Sequence, residues 1–167
     1  MRADEQQFHE FVAARSRALG RTAYLLTGDH HLAEDLLQTA LLQVARHWER
    51  IDGHPEAYAR RVLYTQNVSW WRRKRFAERS LESYDDRAAA SSDPTLRLTL
   101  ADALGRLTTK QRTVLVLRFY EDLTEVQTAA ALGISAGTVK STTRHALARL
   151  RTLAPELADL VGAGEAT

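Results

Sequence analysis

Apolar residues recur every three to four positions through most of this 167-residue chain, and strict alternation is missing, so the pattern predicts helices and not strands. Phe8, Phe11, Val12, Arg15 and Leu19 share one face of a first helix, whose run continues through Tyr24 and Leu26 to Thr27-Gly28. Asp29 suits the N-cap of a second helix, with Leu37, Leu41, Val44 and Trp48 forming its inward stripe. Leu36 and Leu42 fall outside that stripe. Pro55 occupies a favoured first-turn position for a third helix, from about Glu56 to Arg75. These three would make a small orthogonal bundle.

A second pattern lies between Leu123 and Leu153. Thr124 and Gln127 have capping-box spacing, so each side chain can satisfy an orphan amide at a helix start. Val126, Ala129, Ala130 and Leu132 offer an apolar face of small residues that lets another helix approach closely. Gly133 stands where a left-handed C-cap is wanted, and Ile134 follows as an apolar plug. Ser135 can then cap a helix from about Ala136 to Leu153. The fold class expected for the whole chain is all-α, a helical bundle followed by a helix-turn-helix.

Charge sharpens this division more than composition does. The net charge is only +2. Between Arg60 and Arg79, however, seven cations face one acid, and between Ile134 and Arg151 four cations face none. The intervening stretch from Glu82 to Asp93 carries four acids and one cation and is rich in Ala and Ser, without apolar periodicity. Such a stretch reads as a linker. The chain is therefore divided into a first domain at 1–78, an acidic linker at 79–94, a second domain at 95–158 and a tail at 159–167. Absence of cysteine excludes disulfides and thiolate metal sites and fits a reducing cytoplasm. No apolar run approaches the roughly 20 residues that span a bilayer, so no membrane partner is expected.

Three surfaces are candidates for function. The N-terminal part of the last helix presents Ser135, Thr138, Lys140, Ser141, Thr142, Arg144 and His145, short polar donors and cations grouped where a recognition helix meets the major groove. The third helix interleaves Tyr58, Tyr64, Trp70 and Trp71 with Arg60, Arg61, Asn67, Arg72, Arg73, Lys74 and Arg75. Rings on which bases stack, beside cations that track phosphates, suit unpaired DNA. The second helix projects Glu34, Asp35 and Gln38, with the stray apolar Leu42, as a protein would present a docking face; acids there repel phosphate. His30, His31 and Glu34 are the only hint of a metal cluster, and adjacent histidines point to different sides of a helix. A Gly-rich phosphate loop is absent, so neither cofactor, metal nor catalysis is expected. A stand-alone helix-turn-helix regulator is the alternative reading.

Taken together, these motifs resemble the extracytoplasmic-function (ECF) sigma factors of bacterial RNA polymerase, in the sigma-70 superfamily, and most of all the actinobacterial sigma-E type. The segment from Asp29 to Gln38 is similar to region 2.2, and Asn67 with Trp71-Arg-Arg-Lys-Arg75 to regions 2.3 and 2.4. Leu107 to Phe119 looks like region 4.1, and the helix-turn-helix like region 4.2. The resemblance implies that Glu34, Asp35 and Gln38 dock on the β′ clamp coiled coil of core polymerase, and that the second domain lies against the β flap. It implies promoter DNA as the other partner, read at the minus-thirty-five element by the last helix and melted at the minus-ten element by the third. The loop Ile51-Asp-Gly-His54 would help form a pocket for a flipped base. An anti-sigma partner is common in such proteins. Where many members have Ser-Arg in the recognition helix, this chain has Ser141-Thr142, with the cation at Arg144.

Overall fold

The computed structural model describes residues 3–80 and 100–156, with side chains over 4–73 and 100–156. The predicted tail and the linker from residue 81 onward lie outside the described residues, as do the side chains of Lys74 and Arg75. Every regular element among the described residues is helical. Tertiary contacts divide the chain into two units, Met1–Arg75 and Phe76–Thr167.

In the first unit α1 spans Ala3–Thr27, α2 His30–His47 and α3 Pro55–Ser80. Gly28, at φ 70°, ends α1 in the left-handed conformation that a glycine adopts without strain. Asp29 then caps α2, its carboxylate accepting from the amides of His31 and Leu32 at 2.8 and 3.0 Å. Leu19, Ala23 and Leu26 of α1 are fully buried, as are Ala40 and Val44 of α2 and Ala59 and Leu63 of α3. At one end of the unit Phe8 and Phe11 pack on Trp48, with ring centroids 5.4 and 5.6 Å away.

The inward stripe of α2 differs from the one its leucines predict. Ala33, Leu36, Ala40 and Val44 are buried, whereas Leu37 and Leu41 are half-buried at the edge. Two alanines on this stripe allow α1 to approach closely, which rotates the contact toward them and carries Leu36 inside. Leu37 still touches α1: its Cδ2 stands 3.6 Å from where a Cβ on Gly20 would lie.

The second unit comprises α4 (Leu100–Gly105), α5 (Thr109–Leu115), α6 (Glu125–Leu132) and α7 (Ala136–Leu153). Thr108 and Gln111 form a reciprocal capping box for α5, which continues into one π-helical turn over Val116–Tyr120. Leu123 follows that turn, and its carbonyl accepts from Arg118 Nη1 at 2.7 Å, pinning the loop before α6. Thr124 and Gln127 form the predicted capping box of α6, and Gly133 closes it at φ 65°. The Ile134 amide bonds back to the Ala129 carbonyl, the longer bond of a Schellman motif.

The apolar face of α6 is narrower than expected. Val126 is 71% exposed and Ala130 is exposed, while the buried stripe is Thr128, Ala129 and Leu132. An eight-residue helix buries only the residues that meet its partners, and α6 packs on α7 along that stripe.

Candidate functional site

Helix α7 carries the best-defined candidate surface. Ser135 Oγ accepts from the Thr138 amide at 3.1 Å and lies 2.8 Å from Thr138 Oγ1, so both hydroxyls are engaged in starting the helix. Val139, Thr142, Thr143, Ala146, Leu147 and Leu150 face the core. Lys140, Arg144 and His145 are exposed, and Ser141 is half-buried with its hydroxyl bonded to the Thr138 carbonyl at 3.1 Å. Thr142 is a correction to the expected set. At 8% exposure its side chain is turned inward, because it shares the register of Val139 and Ala146.

Two members of this surface escaped sequence reading. A concave surface of about 420 Å³ is lined by Lys140, Ser141 and Arg144 together with Arg151 and with Glu125 of α6. Arg151 was accessible in principle, since it falls on the register of Lys140, Arg144 and Leu147. Glu125 was not, because only the packing of α6 on α7 brings it to that face.

In the first unit Glu34, Asp35 and Gln38 are exposed on one side of α2, and Leu42 beside them is 58% exposed. These four residues lie at i, i+1, i+4 and i+8, a single helical face. Asp29, at the start of the same helix, has its carboxyl held below the usual aspartate range. The Leu32 amide bond is the main cause; desolvation opposes it, and the His31 amide and the nearby His31 and His30 side chains assist.

Helix α3 splits the predicted downstream set. Arg61, Arg72 and Arg73 are exposed and Trp70 and Trp71 are half-buried. Tyr64 and Asn67 are buried, at 6% and 2% exposure, so neither side chain is presented to a ligand on the surface. Asn67 shares the register of Leu63 and Ala59, which face the core of the bundle, and Tyr64 lies one turn before Asn67 at i−3. A groove of about 160 Å³ between α2 and α3 nevertheless brings Asp35 and Leu36 together with Asn67, Trp70 and Arg73. Arg60, counted with the basic run by sequence, instead ties helices together. Its guanidinium donates to Thr22 Oγ1 of α1 at 3.1 Å and pairs with Glu56 at 2.9 Å, and Glu56 also pairs with Arg15 at 3.2 Å.

Comparison with known proteins accounts for both units. The family described as sigma-70 region 2 matches residues 11–77, and sigma-70 region 4 matches residues 103–152. The RNA polymerase sigma-E factor of Streptomyces coelicolor is 44% identical over 152 residues, covering 87% of this chain and 84% of that protein. The ECF RNA polymerase sigma factor SigL of Mycobacterium tuberculosis is 34% identical over 149 residues, covering 83% and 84%. The chain belongs to the ECF sigma factors of the sigma-70 family.

A solved relative of this sigma factor is RpoE in complex with the anti-sigma factor NepR from Bartonella quintana. It shows a TM-score of 0.64 and 25% identity, covering 89% of this chain and 96% of that one. CnrH, solved with the cytosolic domain of CnrY, shares the fold at a TM-score of 0.55. As an alternative sigma factor the chain serves transcription initiation. Among the described residues no group of three or more His, Cys, Asp or Glu could hold a metal ion, and no helix is long and apolar enough to cross a membrane.

Proposed function

We propose that this sigma factor joins core RNA polymerase through the α2 face and reads promoters with two separate surfaces. Glu34, Asp35, Gln38 and Leu42 dock on the β′ clamp coiled coil, where exposed carboxylates seek a basic partner and Leu42 fills an apolar contact. The second unit engages the β flap. Lys140, Ser141, Arg144 and His145 contact the upstream element, with Ser135 and Thr138 fixing the helix start against it. Arg61, Trp70, Arg72, Arg73, Lys74 and Arg75 capture the melted downstream strand. Tyr64 and Asn67 hold the inner side of that helix in place. The division of labour follows domains at 1–78 and 95–158, joined through 79–94.

The observation that carries this reading is the segregation along α7: a threonine- and leucine-lined buried side and, flanking it, exposed cations beside a capped N-terminus. A few phosphate contacts per unit give weak, salt-sensitive affinity. Fixing both units on the polymerase makes the second contact effectively intramolecular and multiplies modest affinities. Such work places the protein with the polymerase in the cytoplasm. The solved RpoE of Bartonella quintana is held by the anti-sigma factor NepR, and an inhibitor of that class would cover the DNA-binding faces here. The test is a mobility-shift and run-off series on genomic fragments with and without core polymerase. Start sites that depend on both the chain and core are expected; equally tight, sequence-specific binding without core would overturn the proposal.

A further inference from the structure

The concave surface between α6 and α7 is cationic on the α7 side, where Lys140, Arg144 and Arg151 line it, and acidic at one point on the α6 side, Glu125. Among the described residues none of these four makes an ion pair. Glu125 thus stands beyond ion-pairing distance of the cations that share its surface. An unpaired carboxylate on a face that meets DNA costs affinity through repulsion by phosphates. It becomes favourable only against a hydrogen-bond donor on a base edge, and in the major groove the amino group of cytosine is the donor that Glu accepts from.

We infer that Glu125 is a specificity-determining residue of the upstream contact, accepting from a cytosine N4 amino group while Lys140 and Arg144 hold the adjoining backbone and bases. The carboxylate disfavours thymine and guanine at that position, which present only acceptors to it, and it disfavours adenine less strongly, because the N6 donor there stands beside the N7 acceptor. This assignment rests on the promoter reading of α7. A purely structural role is the competing explanation, because an acid in the first turn of a helix also complements the helix dipole. That role would be blind to DNA sequence.

The test is transcription by holoenzyme from a promoter library randomised across the upstream element, with the transcribed templates sequenced. The wild-type chain should enrich cytosine at one position. Glu125→Ala should remove that preference, a change of roughly tenfold at that position alone, and should raise the yield from all other templates. Glu125→Gln should lose it as well, turning toward adenine, whose N6 and N7 an amide pairs. Thr124 and Gln127 remain in place in both variants, so the α6 cap is kept, and a thermal melt confirms folding. A uniform change across all templates, or retention of the cytosine preference by both variants, overturns the assignment while leaving the promoter reading standing. A wild-type holoenzyme that enriches no upstream base overturns both.

Discussion

Helices α3 and α7 both carry cations and candidate DNA contacts, yet they place them differently. On α7 the cations Lys140, Arg144 and Arg151 line one concave face, and the buried residues form one adjoining stripe whose edge, Thr143 and Leu147, floors that face. On α3 the residues predicted to act together are divided, with Arg61, Arg72 and Arg73 outside and Tyr64 and Asn67 inside. The cause is the neighbourhood of each helix. Helix α7 packs on α4, α5 and α6, yet its buried residues stay within one stripe from Val139 to Leu150. Helix α3 is tied to α1 through Arg60 and Glu56, and it shares a groove with α2, so a wider arc of it is enclosed. A polar or aromatic residue near a basic run is thus a poor guide to function where a wide arc of the helix is enclosed.

The largest expected effect tests the enclosed side of α3. Tyr64→Ala should destabilise the first unit by about 3 kcal/mol, as truncation of a buried aromatic does, measured by urea unfolding of the full chain. A loss below about 0.5 kcal/mol would mean that Tyr64 is a surface residue after all and would erase the contrast.

Next comes the open side of α7. Arg144→Ala should relax base preference at the upstream element by about 2 kcal/mol. Thr142→Val, a near-isosteric change on the buried side, should leave every base preference as it was. Run-off transcription from promoter variants distinguishes them, and a change in base preference for Thr142→Val would show that burial does not decide which α7 residues read DNA.

A smaller effect probes α2, whose Asp35 borders the groove that also holds Trp70 and Arg73 but is assigned to docking in the proposed division. Asp35→Ala should weaken binding to core polymerase by about 1 kcal/mol, the upper end for an exposed charge, with promoter preference unchanged. Fluorescence anisotropy with labelled chain measures the first, and the same transcription assay the second. Equal effects of Asp35→Ala and Arg144→Ala on base preference would break the separation of roles.

The smallest effect is the Asp29 cap. Asp29→Ala should cost roughly 0.5 kcal/mol at neutral pH, low in the range for caps because the carboxylate is exposed. Its pKa is lowered on folding, so the charged form stabilises the fold above the ordinary aspartate pKa. That contribution disappears as pH falls through the lowered value. Thermal melts of the two proteins should therefore converge as the pH falls through that lowered value; a gap that stays constant throughout acid titration of the fold would remove the carboxylate from the account.

Local chemistry written into neighbouring residues was legible without coordinates. The Asp29 cap, the Thr124–Gln127 box and the Ser135 start of α7 depend on side chains that reach their own backbone within four residues, and the left-handed Gly133 depends on having none. The bounds of α7 follow from these. The exposed face of Glu34, Asp35 and Gln38 was also legible, since acids without partners stay in water. Harder to read were choices among residues of similar character. Leu36 and Leu37 are the same residue type, and which of them is buried depends on the side from which α1 approaches.

What the sequence by itself determined is the all-helical pattern, the caps that begin α2, α6 and α7 and the one that ends α6, and the grouping of charge into separate stretches, because each depends on interactions along a single stretch of chain. Tertiary structure decided that Tyr64, Asn67 and Thr142 turn inward, that Arg60 ties α3 to α1, and that Glu125 joins the cations of α7. Those outcomes depend on the direction from which a second helix arrives, and helical periodicity fixes which residues share a face without fixing which face is covered.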